Sequence, residues 1–229
     1  MHAKTESMSA ALAAAVHYLL SSHLDWRRRQ GKNMESDDNA LNNKSPNGSG
    51  ANGEGNSPLK QIYSEIETAL EHGLFYLAIT VTTSLPDVCS ALEGNVPTNW
   101  ETYKTWFREN VGTELEPFGD HECYELRCGV VHQAKFMGVS KNKWSEYDAL
   151  FFTLPDGRNN RVMGMTIQMP NRKILSMDVV HFCSTMISAA RRWEEQKKGD
   201  ASIQQRMAQV VRVRPEGLAP YIVGLPVFA

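Results

Sequence analysis

Tyr124-Glu125-Leu126-Arg127-Cys128-Gly129-Val130-Val131-His132-Gln133 is the stretch on which the fold turns. Cys123, Leu126 and Val130 recur at three- and four-residue intervals, the period of a helix that buries one face. The same stretch holds the only Arg-x4-His spacing in the 229-residue chain, Arg127 with His132. The reading is a helix that starts near Asp120 and ends soon after Phe136, with Gly138 close behind.

Helical periods continue on both sides of it. Upstream, Thr98-x-x-Glu101 reads as a capping box opening a helix that buries Trp100, Tyr103, Phe107 and Val111 and stops at Gly112. Before that, Leu77, Val81, Leu85, Val88 and Leu92 mark another helix, which Pro86 is expected to kink or restart. Ser57 and Pro58 read as an N-cap and first helical residue, followed by the stripe Leu59, Ile62, Ile66 and Leu70 and a stop at Gly73. Downstream the period changes. Tyr147 to Leu154, a turn at Pro155-Asp156-Gly157, and Val162 to Met169 read as a β-hairpin. A long helix follows from about Ser176 to Lys197, with Val180, Cys183, Ile187, Ala190 and Trp193 as its stripe. The expected fold is mainly α: a four- or five-helix antiparallel bundle with one β-hairpin inserted before the last long helix.

The domain map follows from composition. Residues 1–30 read as an amphipathic helix, with Met8, Leu12, Val16, Leu19 and Leu24 on one face. Residues 31–57 are rich in Asn, Gly and Ser and read as a flexible linker. Residues 58–198 form the main domain, with the hairpin at about 147–169, and 199–229 an extended tail. The formal net charge of −2 gives no global pull toward polyanions, so such a site must be a local patch. No apolar run reaches the roughly 20 residues of a membrane span, and residues 10–20 lack the basic start of a secretion signal. Cys89, Cys123, Cys128 and Cys183 show no CxxC pair and read as buried thiols in a reducing, cytoplasmic setting. No metal motif and no Gly-rich phosphate loop appears, so no metal and no cofactor is expected.

Arginine offers a permanent charge and a forked donor that matches phosphate oxygens, and histidine can take or give a proton near neutral pH. Together they are a minimal apparatus for cleaving RNA, whose own 2′-hydroxyl is the nucleophile. The spacing imposes a condition, because positions five apart lie about 140° around a helix axis. Either the helix loosens near Gly129, or two copies of it share the site across a two-fold axis. The second option makes a homodimer. Tyr124, Gln133 and Lys135 flank the pair and are the expected substrate-contacting residues, Lys135 through a phosphate; each also reads as a solvated or structural side chain.

This motif in this helical context resembles the HEPN superfamily, marked by Arg-x4-6-His on a late helix of a four- or five-helix bundle. Leu85-Pro86-Asp87-Val88-Cys89, Tyr103-Lys104-Thr105-Trp106-Phe107 and Cys123-Tyr124-Glu125-Leu126-Arg127-Cys128 are similar to a group of uncharacterised prokaryotic HEPN-like proteins. The resemblance runs from about Leu59 to Trp193. It implies a dimeric, metal-independent endoribonuclease of phage defence or a toxin system, with Arg127 and His132 catalytic, RNA as substrate and an unidentified antitoxin or regulatory partner. Two positions depart from the pattern. Cys128 stands where many active members carry Asn or Asp, and Ala134 stands where toxins paired with nucleotidyltransferases often carry Tyr. The first departure favours the alternative, a non-catalytic HEPN dimer that binds RNA or a partner protein. A third reading is a small-molecule or nucleotide sensor with a pocket between helices. In the plainest reading Arg127 pairs with Glu122 or Glu125, and His132 sits at a helix end near the dipole.

Overall fold

Proline at position 86 sets the helix count in the first half of the domain. In the computed structural model, which describes residues 57, 59–94, 98–136, 146–155 and 164–229, the apolar stretch 75–94 is two helices, α2 (Phe75–Thr82) and α3 (Leu85–Gly94). Pro86 lies in the first turn of α3, where its missing N–H leaves no bond unmade. The restart shifts the helical phase. Leu77 faces solvent, and α2 buries Ala78, Ile79 and Thr82 instead. The length and composition of this stretch would suit a membrane span, but it is broken in two and half buried in the core. The expected N-terminal helix (1–30) and nearly all of the linker (31–57) lie outside the described residues.

Two expected caps are displaced. The first helix, α1 (Lys60–Glu71), has Leu59 at its N-cap rather than Ser57, and Lys60 N–H bonds to the Ser57 carbonyl at 3.1 Å. Leu59 is fully buried, so packing sets where the helix begins. The stop at Gly73 is as expected: its φ is +71°, and Leu74 N–H closes on Ala69 O at 2.8 Å. In α4 (Trp100–Asn110) Asn99, not Thr98, caps: its Oδ1 accepts from Glu101 N–H (2.8 Å) and Thr102 N–H (3.1 Å). Asn is the stronger cap, and the one-residue shift turns Trp100 outward, where Lys104 Nζ lies 4.5 Å from the ring centre. Tyr103, Phe107 and Val111 are buried as expected.

The expected hairpin between residues 147–154 and 162–169 is not formed. The strands are β1 (Ala149–Thr153), β2 (Met165–Met169) and β3 (Arg172–Asp178), in the order β1-β3-β2. β3 is central, antiparallel to β2 across a turn at Pro170-Asn171 and parallel to β1, with Leu150 opposite Leu175 and Phe152 opposite Met177. Its run Ile174-Leu175-Ser176-Met177 is buried throughout, so it lacks the alternation of an edge strand and merges in sequence with the helix after it. That helix, α6 (Val179–Gln196), therefore starts at Val179 and not Ser176; Asp178 Oδ1 accepts from His181 N–H at 2.7 Å as its cap.

Residues 199–229 are not simply extended. They begin with α7 (Ala201–Met207), capped by Asp200 and buried through Ile203 and Met207. Arg206 donates to the carbonyls of Leu92 (2.5 Å) and Glu93 (3.0 Å), which fastens α7 to the C-terminal end of α3 and satisfies carbonyls that the helix itself leaves free. The chain then folds back as two short ribbons, β4 (Val213–Arg214) with β7 (Val227–Phe228), and β5 (Gly217–Leu218) with β6 (Ile222–Val223). At Gly217 φ is +91°, and a Cβ there would collide with the Ile222 carbonyl.

The core joins helices and sheet through one chain of aromatic contacts, edge-on except for the tilted Phe182–Phe152 pair. Phe107 meets Phe118 (6.2 Å between ring centres), Phe118 meets Phe182 (5.5 Å), Phe182 meets Phe152 of β1 (5.4 Å), and Phe152 meets Phe136 (5.5 Å). The architecture is mainly α with a small sheet, and the helix carrying Arg127 and His132, α5 (Asp120–Gln133), is buried through Cys123, Leu126, Gly129 and Val130.

Candidate functional site

The end of α5 builds the site. Ala134 takes the left-handed conformation (φ +52°), and both its N–H and that of Lys135 turn back to Gly129 O. Val130 O is picked up from outside the helix, by the Tyr76 hydroxyl of α2 at 2.7 Å. His132 is thus held in a wound and anchored last turn while its ring stays exposed. The helix ends at Gln133, short of the expected Phe136. An L-residue pays about 1–2 kcal/mol for left-handed backbone. Ala134→Gly should therefore raise stability by about 1 kcal/mol net of the added freedom of the unfolded chain, read as a higher urea midpoint at unchanged slope.

Arg127 and His132 meet within one chain. Arg127 Nη1 lies 3.3 Å from His132 Nε2, and α5 is continuous between them. Neither loosening at Gly129 nor a second copy is needed to bring them together, because the long arginine side chain spans the angular offset. The plain expectation for Arg127 is also corrected. Its ion-pair partner is Asp87, not Glu122 or Glu125: Nε donates to Asp87 Oδ2 at 2.9 Å, with the two side chains 27 % and 20 % exposed. Glu122 instead accepts from Gly119 N–H at the start of α5. Partial desolvation pulls the Arg127 pKa down, and the Asp87 carboxylate, by charge and hydrogen bond, more than offsets it, so the guanidinium is firmly charged.

Asp87 was missed at the level of sequence. It lies in a stretch that carries the family resemblance, but an acid in the first turn after a proline is favoured by the helix dipole in any protein, so nothing there tied it to Arg127. Of the other expected residues, Tyr124 packs edge-on against Tyr103 (5.4 Å), and burial followed by the neighbouring Cys128 raises its pKa. Gln133 and Lys135 are exposed in and just beyond the last turn. Cys128 is half-buried, unlike Cys89, Cys123 and Cys183, which are buried as expected. His121 faces Lys104 Nζ at 3.3 Å, and His72 bonds to Thr68 O.

Among the described residues no three His, Cys, Asp or Glu side chains converge as a metal site. A cleft of about 530 Å³ opens at the other end of α5, lined by residues that include Arg108, Thr113, Glu116 and Asp120. Several large apolar side chains at the start of α2 and near the end of α5 are exposed. Leu74, Tyr76 and Leu77 at the start of α2 are exposed by 44 to 53 %, and so is Val131, next in sequence to the residue whose carbonyl Tyr76 holds.

No family model matches the chain, and comparison with curated proteins and with solved structures returns no match.

Proposed function

We propose that the chain is a HEPN-like, metal-independent endoribonuclease acting in phage defence or a toxin system. The observation that supports this most is the meeting of a fixed guanidinium and an exposed imidazole at 3.3 Å on one helix end. Arg127 has five N–H groups; Asp87 takes one and His132 another. Cys128 is a further hydrogen-bond partner of the guanidinium, and its outer N–H groups can meet the oxygens of a phosphate. His132 takes the 2′-hydroxyl proton as O2′ attacks phosphorus, and Arg127 stabilises the phosphorane charge. The P–O5′ bond then breaks and O5′ takes that proton from the His132 imidazolium, giving a 2′,3′-cyclic phosphate and a free 5′-hydroxyl with the ring neutral again. The exposed apolar side chains of Leu74, Tyr76, Leu77 and Val131 are offered to a second copy, and the working form is a homodimer.

A second reading is a non-catalytic HEPN module that binds RNA or a partner protein. It is favoured by the Asp87 ion pair, which already neutralises Arg127, and by Cys128 in place of a polar neighbour. Incubation of purified protein with total cellular RNA and tRNA in EDTA, followed by end-group analysis, separates the two. Cleavage with cyclic-phosphate ends supports the nuclease. Intact RNA with saturable binding supports the module.

A further inference from the structure

We infer that Asp87 is a positioning residue, which sets the rotation of the Arg127 guanidinium and, through it, the tautomer of His132. Guanidinium has donors only, so the 3.3 Å contact between Nη1 and Nε2 is a hydrogen bond only if Nε2 presents its lone pair. The ring proton then sits on Nδ1. That arrangement is the less common one for a free histidine side chain, whose proton favours Nε2, so it needs a cause.

The cause lies at Nε. Asp87 Oδ2 takes the Nε–H at 2.9 Å, and this fixes the plane of the guanidinium as well as its position. Asp87 is itself rigid. It follows the buried Leu85 and Pro86 in the first turn of α3, and Arg206 grips the last carbonyls of the same helix. Three elements, α3, α5 and α7, therefore contribute to where one imidazole lone pair points. With Asp87 absent the guanidinium regains its rotamers, the donor to Nε2 is lost most of the time, and the ring reverts to the ordinary tautomer.

On the nuclease reading, on which only the activity part of this inference rests, Nε2 is the atom that receives the 2′-hydroxyl proton. The phosphate replaces the ring as partner of Nη1, and Asp87 keeps the guanidinium in plane while that exchange occurs.

The test is long-range ¹H–¹⁵N correlation on histidine-labelled full-length protein, at a pH where the ring is neutral, with melting curves to confirm folding. Wild type should show a lone-pair nitrogen at His132 Nε2 and a protonated Nδ1. Asp87→Ala should move the proton to Nε2, and so should Arg127→Met, which removes the donor and keeps the length. Asp87→Asn, still an acceptor for Nε–H, should retain the wild-type pattern. In the cleavage assay Asp87→Ala should lower kcat on the order of 100-fold, the cost of a misplaced group, with KM little changed. Added guanidinium should rescue Arg127→Ala but not the Asp87→Ala/Arg127→Ala double variant. A wild-type ring protonated on Nε2, or an unchanged tautomer in Asp87→Ala, overturns the inference. The tautomer result in a protein that cuts no RNA would retain the positioning role and defeat the nuclease reading alone.

Discussion

On the proposed nuclease activity, His132→Ala should lower single-turnover RNA cleavage by about 10²–10⁴-fold, the range for loss of a general acid–base group, and leave the melting temperature near that of wild type. The second half of this expectation follows from the site's construction. The ring is exposed, and its one hydrogen-bond contact among the described residues is with Arg127. The helix end beneath it is held by backbone bonds to Gly129 O and by the Tyr76 hydroxyl, none of which involves the imidazole. Arg127→Ala should abolish cleavage as well, but it also strands the Asp87 carboxylate, so part of its effect will appear as lost stability. His132 is thus the cleaner probe. Equal cleavage by His132→Ala and wild type, with both folded, would remove His132 from the chemistry and leave the pair a structural one.

Phe182→Ala costs about 3–5 kcal/mol of stability, in the range for truncating a buried aromatic. Phe182 is fully buried on α6 and is the middle link of the aromatic chain, touching Phe118 on the bundle side and Phe152 on the sheet side. Its loss opens a cavity where two layers meet and cannot be filled by a small shift of either one alone. Phe152 in turn packs on Phe136, just past the end of α5. The variant should therefore show a lower urea midpoint and, near Phe136, faster amide exchange than wild type. A loss under about 1 kcal/mol would mean that bundle and sheet hold together by other contacts.

The helices were legible where a long stripe and a strong stop coincide. The start of α5 at Asp120, the stops at Gly73 and Gly112, and the α6 stripe through Cys183, Ile187, Ala190 and Trp193 stand as read, with its first member Val180 only half-buried. Legibility failed where two signals competed within a residue or two. Thr98 was read as the cap, and its neighbour Asn99, the better acceptor, holds that position. Ser57 offered a hydroxyl, and the burial of Leu59 overrode it. β3 was lost to the helix after it because a strand buried on both faces carries no alternating pattern. The tail's ribbons were invisible for the opposite reason, since strands of two residues have no period at all. At the site, Arg127 and His132 were legible because they share one helix, where spacing speaks. Asp87 was not, because it reaches Arg127 from forty positions away, across a contact that only the packing of α3 on the bundle creates.

The short helix α3 is clasped at both tips by arginines from other elements, Arg127 at Asp87 and Arg206 at the carbonyls of Leu92 and Glu93. Its macrodipole is thereby quenched at each pole, a carboxylate lying at the positive pole and a guanidinium at the negative one. Over a length of about 15 Å the helix thus ties the place of α7 at one tip to the place of the carboxylate beside Arg127 at the other.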